Sequence, residues 1–199
     1  EDILSLIVDL NAKRLIDRYQ FDPLKDIQVL SPMKRGIIGT ENLNVMLQER
    51  LNPDSEPIVM YGKSFRVGDK VMQLRNNYNK NVFNGDVGII TDVDREEQLL
   101  FVEYDGREVE YQFSEFDEIT LAYAVSIHKY QGSECRCIVI PAHTSHYKLL
   151  YRNLLYTGIT RGKELVVLVG SKKAIAIAVK NDEVKKRYTA LKEFIEEIV

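Results

Sequence analysis

One apolar run near the end of the chain constrains the fold most. Residues 165–170 read Leu-Val-Val-Leu-Val-Gly, without a polar side chain. Strands of a parallel sheet are covered on both faces and give such continuous runs, whereas strands with one wet face alternate. Shorter runs of β-forming residues lie at 27–30, 119–125 and 137–141. Helical spacing separates them, so the sequence predicts an α/β fold built on a parallel sheet.

The helices that should cover this sheet follow from the 3.6-residue period of the apolar side chains. We predict them over residues 2–19, 41–51, 147–160, 171–179 and 183–198. Thr40 is a suitable N-cap for the second helix, because its hydroxyl can accept a hydrogen bond from a free backbone N–H.

The composition of the chain changes between residues 58 and 116. Glycine turns separate short β-type runs at 70–75, 88–93, 99–104 and 109–113. Asp105-Gly106 is a strong signal for a tight hairpin, and several short strands at this spacing favour a small barrel. We therefore predict one discontinuous α/β domain, residues 1–57 and 117–199, interrupted by a barrel at 58–116.

Charge and cysteine content narrow the class of protein. The 199 residues carry a formal net charge of −3, which argues against DNA binding by bulk charge but allows a local basic groove. Two cysteines form no disulfide framework and fit a reducing compartment. No apolar run is long enough to span a membrane. We expect a cytoplasmic protein, and the missing initiator Met suggests a piece of a longer one.

A phosphate-binding loop would need the pattern G-x-x-x-x-G-K-[ST]. Gly62-Lys63-Ser64 matches its end, but the first glycine is replaced by Pro57, which lacks an N–H and has a fixed φ. Residues 158–163 are one residue too short for the pattern, and Glu164 replaces the hydroxyl. A nucleotide bound to this chain would therefore be held mostly by residues elsewhere.

Residues 122–134, Ala-Tyr-Ala-Val-Ser-Ile-His-Lys-Tyr-Gln-Gly-Ser-Glu, pass from apolar to polar within a predicted strand and its loop. Donors suited to phosphate oxygens are carried by Ser126, His128 and Lys129. Candidates for contact with a nucleotide or a base are Gln131, Gly132 and Glu134. The alternative is an ordinary polar loop.

Arg161 stands between a predicted helix and the last apolar strand. An arginine there can reach a γ-phosphate across a cleft and stabilise the charge being transferred, worth about 10³–10⁵ in rate for arginine fingers. It can equally be a cation that complements the C-terminus of a helix. Spacing alone leaves both interpretations open.

Residues 75–85 combine cations, amides and aromatic rings. Single-strand tracks use cations for phosphates and rings for bases, so DNA contacts are predicted at Arg75, Tyr78 and Asn84. The alternative is an asparagine-rich loop closed by a turn. No metal site is predicted. The spacing of the possible ligands Cys135, Cys137, His143 and His146 matches no common zinc-binding pattern.

Four blocks of the sequence resemble superfamily 1 helicases of the RecD/TraA-type branch. The blocks are residues 29–36 with 42–44 (fourth motif), 65–73 with 84–88 (an inserted SH3-like barrel), 122–134 (fifth motif) and 156–163 (sixth motif). Their order and spacing make the resemblance far more specific than any one block. Three positions depart from the family: Tyr130 stands where a small residue is usual, and Gly158 and Gly162 stand where Ala is common.

The resemblance implies the second RecA-like domain of an ATP-dependent DNA helicase moving 5′ to 3′, the class of the α subunit of exodeoxyribonuclease V. The first RecA-like domain, with the phosphate loop and the carboxylate that holds Mg²⁺, would lie upstream. The expected partners are therefore ATP, Mg²⁺, single-stranded DNA, that upstream domain and other exonuclease subunits.

Motif position also implies roles for single residues. Arg161 would contact the γ-phosphate. Nucleotide contacts would come from Gly132, Glu134 and Arg35. Ser126 and His128 would lie toward single-stranded DNA, and Lys129 and Gln131 would link the two sites. The alternatives are a single-strand-binding module without a motor, in which the barrel binds, and a partner-docking domain.

Overall fold

The computed structural model describes residues 2–60, 62–144 and 149–182. The helix predicted over 183–198 lies outside the described residues, as does His146. The helices are α1 (Ile3–Asp9), α2 (Leu15–Tyr19), α3 (Thr40–Leu51), α4 (Arg152–Ile159) and α5 (Lys172–Lys180). The strands are β1 (Ile27–Ser31), β2 (Ile58–Met60), β3 (Lys63–Phe65), β4 (Lys70–Gln73), β5 (Val87–Asp94), β6 (Leu99–Tyr104), β7 (Arg107–Gln112), β8 (Ile119–Leu121), β9 (Ala124–Ser126), β10 (Cys135–Ala142) and β11 (Gly162–Gly170). Within these described ranges, no helix has the length and apolar character needed to cross a membrane.

Four parallel strands form the first sheet, in the order β11-β10-β1-β9. Alternate side chains point to opposite faces. Val29 packs with Leu43 of α3 on one face, and Leu30 packs with Leu154 of α4 on the other. The run that predicted the sheet, β11, lies at its edge and is half-buried along much of its length.

Five antiparallel strands form the second sheet, in the order β7-β6-β5-β4-β8, around a core that includes Phe65, Tyr111 and Phe116. The hairpin predicted at Asp105-Gly106 joins β6 to β7, and its two residues have φ of 48° and 79°, as a type I′ turn requires. The predicted α/β class, a parallel sheet interrupted by an antiparallel β unit, is confirmed. The boundary residues of that unit stay a prediction.

The strand predicted over 119–125 is wrong as a single element. Its first half, β8, pairs antiparallel with β4, and its second half, β9, pairs parallel with β1. The chain changes sheet at Ala122 and Tyr123, whose carbonyls accept hydrogen bonds of 3.0 and 3.1 Å from the buried Gln28 amide. These bonds satisfy the backbone where it belongs to neither sheet.

The helices differ from the predicted ones at three points. A π-helical turn, Leu10–Arg14, separates α1 from α2, and within it the buried Asn11 amide donates to Ile7 O at 2.7 Å. Gly39, not Thr40, is the N-cap of α3. A Cβ on Gly39 would lie 2.5 Å from the Arg35 carbonyl, so the preceding loop folds tightly over the helix start. Of the helix predicted over 147–160, residues 147 and 148 lie outside the described part, and α4 begins at Arg152, after the extended backbone of Tyr151.

Asp69 and Lys70 join the barrel to the parallel-sheet domain. The Asp69 side chain is fully buried and accepts hydrogen bonds from Gln48 (2.5 Å), Asn52 (2.9 Å) and Tyr123 (2.9 Å). Burial raises the pKa of Asp69, against the effect of these donors. The buried Lys70 ammonium donates to Ile27 O at 3.1 Å, and burial lowers its pKa to about 8.

Candidate nucleotide and DNA site

The loop 127–134 crosses the parallel sheet from its carboxyl edge, where the strands end, to its amino edge, where they begin. It leaves the carboxyl end of β9 at Ser126, which is paired with Ser31, and reaches the amino end of β10 at Cys135. The loop is compact, since the Tyr130 N–H donates to Ser126 O and the Ser133 N–H to Tyr130 O, both at 3.2 Å. The residues predicted to bind DNA therefore begin at one edge, and those predicted to approach a nucleotide end at the other.

Tyr130, which departs from the family pattern, faces inward. It is 5% exposed and packs in the cluster that contains Met72 and Cys135. Its hydroxyl donates to Glu134 O at 3.4 Å, and burial raises the pKa of the phenol. The ring fills the core beneath the loop, and the side chains left exposed above it are those of His128, Lys129, Gln131 and Glu134.

Arg161 is held by neutral acceptors. Its guanidinium donates to Thr157 O (3.3 Å), Ser133 O (3.4 Å) and Thr160 Oγ1 (3.2 Å). The Thr160 hydroxyl in turn donates to Thr157 O at 3.1 Å. In the described part of the chain, no carboxylate oxygen lies within 4.0 Å of its side-chain nitrogens. The arginine is thus fixed in direction and has no carboxylate partner among the described residues.

The structure brings Arg161 together with the end of the 127–134 loop. Besides the Ser133 contact, the Cys135 N–H donates to Arg161 O at 3.0 Å. Glu134 forms an exposed ion pair with Lys163 at 3.5 Å. Gly132 has φ of +92°, and a Cβ there would have no atom within 4 Å. One edge of the sheet therefore carries an open glycine backbone, a carboxylate and an arginine without a carboxylate partner in the described chain.

The two family departures at glycine have a packing reason. A Cβ on Gly158 would lie 2.9 Å from Ile140 Cδ1, and one on Gly162 would lie 2.6 Å from Val166 Cγ2. Glycine thus lets α4 and the start of β11 approach their neighbours closely, which places Arg161 against the sheet.

A groove of about 600 Å³ lies between α3, the β2–β3 hairpin, the barrel and Ser126. Its lining includes Lys34, Lys63 and Lys129, and also Glu41, whose carboxylate pairs with Lys34 at 3.5 Å. Lys63 donates to Phe116 O and Ile119 O at 2.9 and 2.8 Å. Burial lowers the pKa of Lys63, and the charge of Lys129 adds to the effect against that of Asp117. In the sequence, Lys63 was considered only as part of an incomplete phosphate-loop pattern. No sequence pattern indicates that it lies near Lys129.

Arg35 lies in the exposed loop that follows β1, at the carboxyl edge of the sheet. Arg161 precedes β11, at the amino edge. The structure therefore does not bring these two arginines together, and the nucleotide contact of Arg35 stays a prediction.

The two cations of the barrel loop 75–86 are paired with carboxylates from the segment that follows β7. Arg75 donates to Asp117 (3.2 Å) and Glu118 (3.1 Å), and Lys80 pairs with Glu115 at 2.6 Å. The exposed part of the loop is aromatic and amide: Tyr78, Phe83 and Asn84. Sequence reasoning did not single out Phe83, although its spacing from Tyr78 was a signal for it.

Solved helicase structures share this fold. A Bacteroides Pif1 structure bound to single-stranded DNA matches with a TM-score of 0.58 and 21% identity, over 99% of this chain and 54% of that one. A Bacteroides Pif1 complex with ADP-AlF3 and single-stranded DNA matches with a TM-score of 0.59 and 21% identity, over 98% and 49%. The chain thus shares its fold with these Pif1 structures.

Family models and curated relatives identify the branch. Residues 43–104 match the ATP-dependent RecD-like DNA helicase SH3 domain, and residues 121–169 match the UvrD-like helicase C-terminal domain. The ATP-dependent RecD2 DNA helicase of Deinococcus radiodurans is 37% identical over 169 residues, 85% of this chain and 23% of that protein. Both parts of the chain thus match RecD-like helicases: the inserted barrel matches their SH3 domain, and the parallel-sheet part matches a helicase C-terminal domain.

The RecBCD enzyme subunit RecD of Buchnera aphidicola (subsp. Acyrthosiphon pisum) is a more distant relative. It is 29% identical over 169 residues, 81% of this chain and 26% of that protein. The chain thus spans about a quarter of the length of these curated relatives. The resemblance drawn from the four sequence blocks is confirmed.

Proposed function

We propose that this chain completes the ATP site of a 5′-to-3′ DNA helicase and grips single-stranded DNA. The supporting observation is Arg161, a fixed cation without a carboxylate partner among the described residues, at the edge where the 127–134 loop ends. The bond to Thr157 O, in the last turn of α4, also fits a helix-end cation, whereas the bond to Ser133 O comes from outside that helix and fixes the guanidinium against the loop. An arginine that meets phosphate from a second domain gains from being held in place beforehand.

In this proposal, the guanidinium of Arg161 donates to the γ-phosphate oxygens as negative charge moves toward the leaving group. Gly132 offers open backbone to the nucleotide, while Glu134 and Gln131 approach it from the same loop. Arg35 lies at the opposite edge of the sheet and is not part of this proposed site. The phosphate loop belongs to an upstream RecA-like domain. The carboxylate that holds Mg²⁺ is assigned to the same upstream domain, since Mg²⁺ is usually bound by one or two carboxylates together with substrate phosphates.

The DNA grip is assigned to the opposite edge of the sheet. Ser126, His128 and Lys129 supply donors to backbone phosphates there, and the lysine-lined groove continues from Ser126 toward the barrel. Because one compact loop joins both edges, a change at the nucleotide alters the grip on the strand. Other exonuclease subunits are proposed partners, on the strength of the RecBCD subunit among the relatives.

The test uses the full-length protein and the variant Arg161→Ala. Removing the only cation proposed to meet the γ-phosphate from this domain should lower DNA-stimulated ATP turnover by about 10³-fold or more. Single-strand affinity should stay within about twofold, since the DNA donors lie at the other edge. Steady-state ATPase assays and fluorescence anisotropy measure the two quantities.

Arg136→Ala is the matched control, because this exposed arginine on β10 is already paired with Asp26 and Glu164. Its turnover should remain that of the wild type. Turnover that survives in Arg161→Ala would reduce Arg161 to a helix-end cation. The 199-residue chain alone should hydrolyse no ATP, and measurable activity from it would contradict the division of the site between two domains.

A further inference from the structure

Two aromatic rings stand out from the barrel surface. Tyr78 is 77% exposed and Phe83 is 40% exposed. Their ring centroids are 6.0 Å apart in an edge-to-face arrangement. The pair therefore has a fixed mutual geometry while leaving most of one ring, and part of the other, in contact with water.

The loop beneath the rings is held from several sides. Asn77 and Val82 exchange two backbone hydrogen bonds, of 2.8 and 3.1 Å. Arg107 of β7 donates to the carbonyls of Lys80 and Asn81 at 2.7 and 2.5 Å. A flexible loop could fold its rings onto the protein, but this one keeps them outward. The order needed for binding is already present, which lowers its entropic cost.

The aromatic loop touches the loop predicted to bind phosphates. Phe83 begins a turn in which the Asp86 N–H donates to Phe83 O at 3.0 Å. Within this turn Gly85 has φ of +101°, and a Cβ there would lie 4.0 Å from Lys129 O. The backbones of the two loops thus lie close together, two residues after Phe83 and at Lys129 itself.

We infer that Tyr78 and Phe83 form a stacking platform for unpaired bases of the strand whose phosphates Lys129 binds. The inference rests on the proposed DNA grip. Stacking on exposed rings is available to any base and needs unpaired base faces. Charge does not explain this loop as a DNA contact, because Arg75 and Lys80 are already paired with carboxylates.

The test compares Phe83→Leu and Tyr78→Leu in the full-length protein by fluorescence anisotropy on a mixed-sequence oligonucleotide. Leucine keeps apolar bulk but has no ring, so each variant should lose at least about fivefold in affinity. The salt dependence of binding should not change, since no phosphate contact is removed. Phe83→Tyr should retain affinity. Tyr19→Leu is the matched control, because Tyr19 of α2 is 41% exposed.

An abasic oligonucleotide separates stacking from other effects. It has phosphates but no bases, so Phe83→Leu should bind it as well as the wild type does. Equal losses on intact and abasic strands would overturn the platform, as would no loss on either. Lys129→Ala reports on the grip itself and should reduce the salt slope by about 0.7. If that slope is unchanged while Phe83→Leu still loses affinity for intact strands only, the grip fails and the platform stands.

Discussion

The 127–134 loop and the barrel loop 75–86 come close together at Lys129 and Gly85. They differ in whether their cations are paired with carboxylates. At the end of the 127–134 loop, Arg161 is held by two carbonyls and a hydroxyl. Lys129 is exposed, without a carboxylate within 4.0 Å among the described residues. In the barrel loop, by contrast, Arg75 is paired with carboxylates.

This difference separates two uses of a cation. A cation held by neutral groups keeps its charge available for an anion from outside, because its partners do not cancel the field. A cation paired with carboxylates contributes to the local structure and adds little net charge. The first loop is suited to phosphates, and the second is a rigid support for rings. The next four predictions test this contrast.

Glu118→Ala should have the largest effect, because Glu118 is the buried acceptor that organises the barrel loop. Its carboxylate accepts hydrogen bonds from Gln73 (3.0 Å), Asn77 (3.1 Å) and Arg75 (3.1 Å). Losing them leaves donors unsatisfied, and we expect a cost of about 3 kcal/mol in the free energy of unfolding. Urea unfolding of the purified chain measures it. A cost below about 1 kcal/mol would mean that the loop is held in another way.

The same carboxylate predicts a pH dependence. Burial alone would raise the pKa of Glu118, but the bonds from Asn77 and Gln73 and the charge of Arg75 lower it below its ordinary 4.5. The stabilisation is therefore present above pH 4.5 and lost as the pH falls through the lowered folded-state pKa. Unfolding at neutral and acidic pH should show the advantage of the wild type over Glu118→Gln shrinking with acidification.

Thr160→Val should have an intermediate effect, on turnover in the full-length protein. Its hydroxyl accepts from Arg161 and donates to Thr157 O, so it aligns the guanidinium without touching a substrate. We expect kcat to fall about tenfold, or about 1.4 kcal/mol in the barrier, with KM unchanged. Thr160→Ser should restore kcat, because it keeps the hydroxyl. A change in KM alone would contradict this positioning role.

Arg75→Gln should have the smallest effect. The Arg75 side chain is 57% exposed and already neutralised, and exposed ion pairs contribute at most about 1 kcal/mol. Single-strand affinity of the full-length protein should change by less than about twofold. A tenfold loss, measured by anisotropy, would mean that Arg75 leaves its carboxylates for a phosphate, and the contrast between the loops would fail.

Sequence patterns predicted the elements whose signals are local. The apolar run at β11 and the Asp105-Gly106 turn each carry their cause within a few residues. The break between β8 and β9 had no such signal, because Ala122 and Tyr123 are neither proline nor glycine. It is explained by Gln28, which lies 94 residues before Ala122.

The candidate site divides in the same way. The fifth- and sixth-motif blocks selected the 127–134 loop and Arg161, but not the state of their charges. That state depends on contacts between distant residues, such as Arg161 with Ser133, 28 residues earlier. The inward orientation of the Tyr130 ring could not be predicted from the sequence either, because its neighbour Met72 comes from the barrel. Roles of the individual site residues stay predictions until the variants are measured.

The buried Asp69 has a mechanical consequence. Its carboxylate receives hydrogen bonds from α3 and from Tyr123, where the chain re-enters the parallel sheet, so the barrel is fastened at its entry and at its exit. An inserted domain that is fixed at both connections cannot rotate independently of the domain that carries it. We expect the barrel to move as a rigid body together with the sheet that carries Arg161.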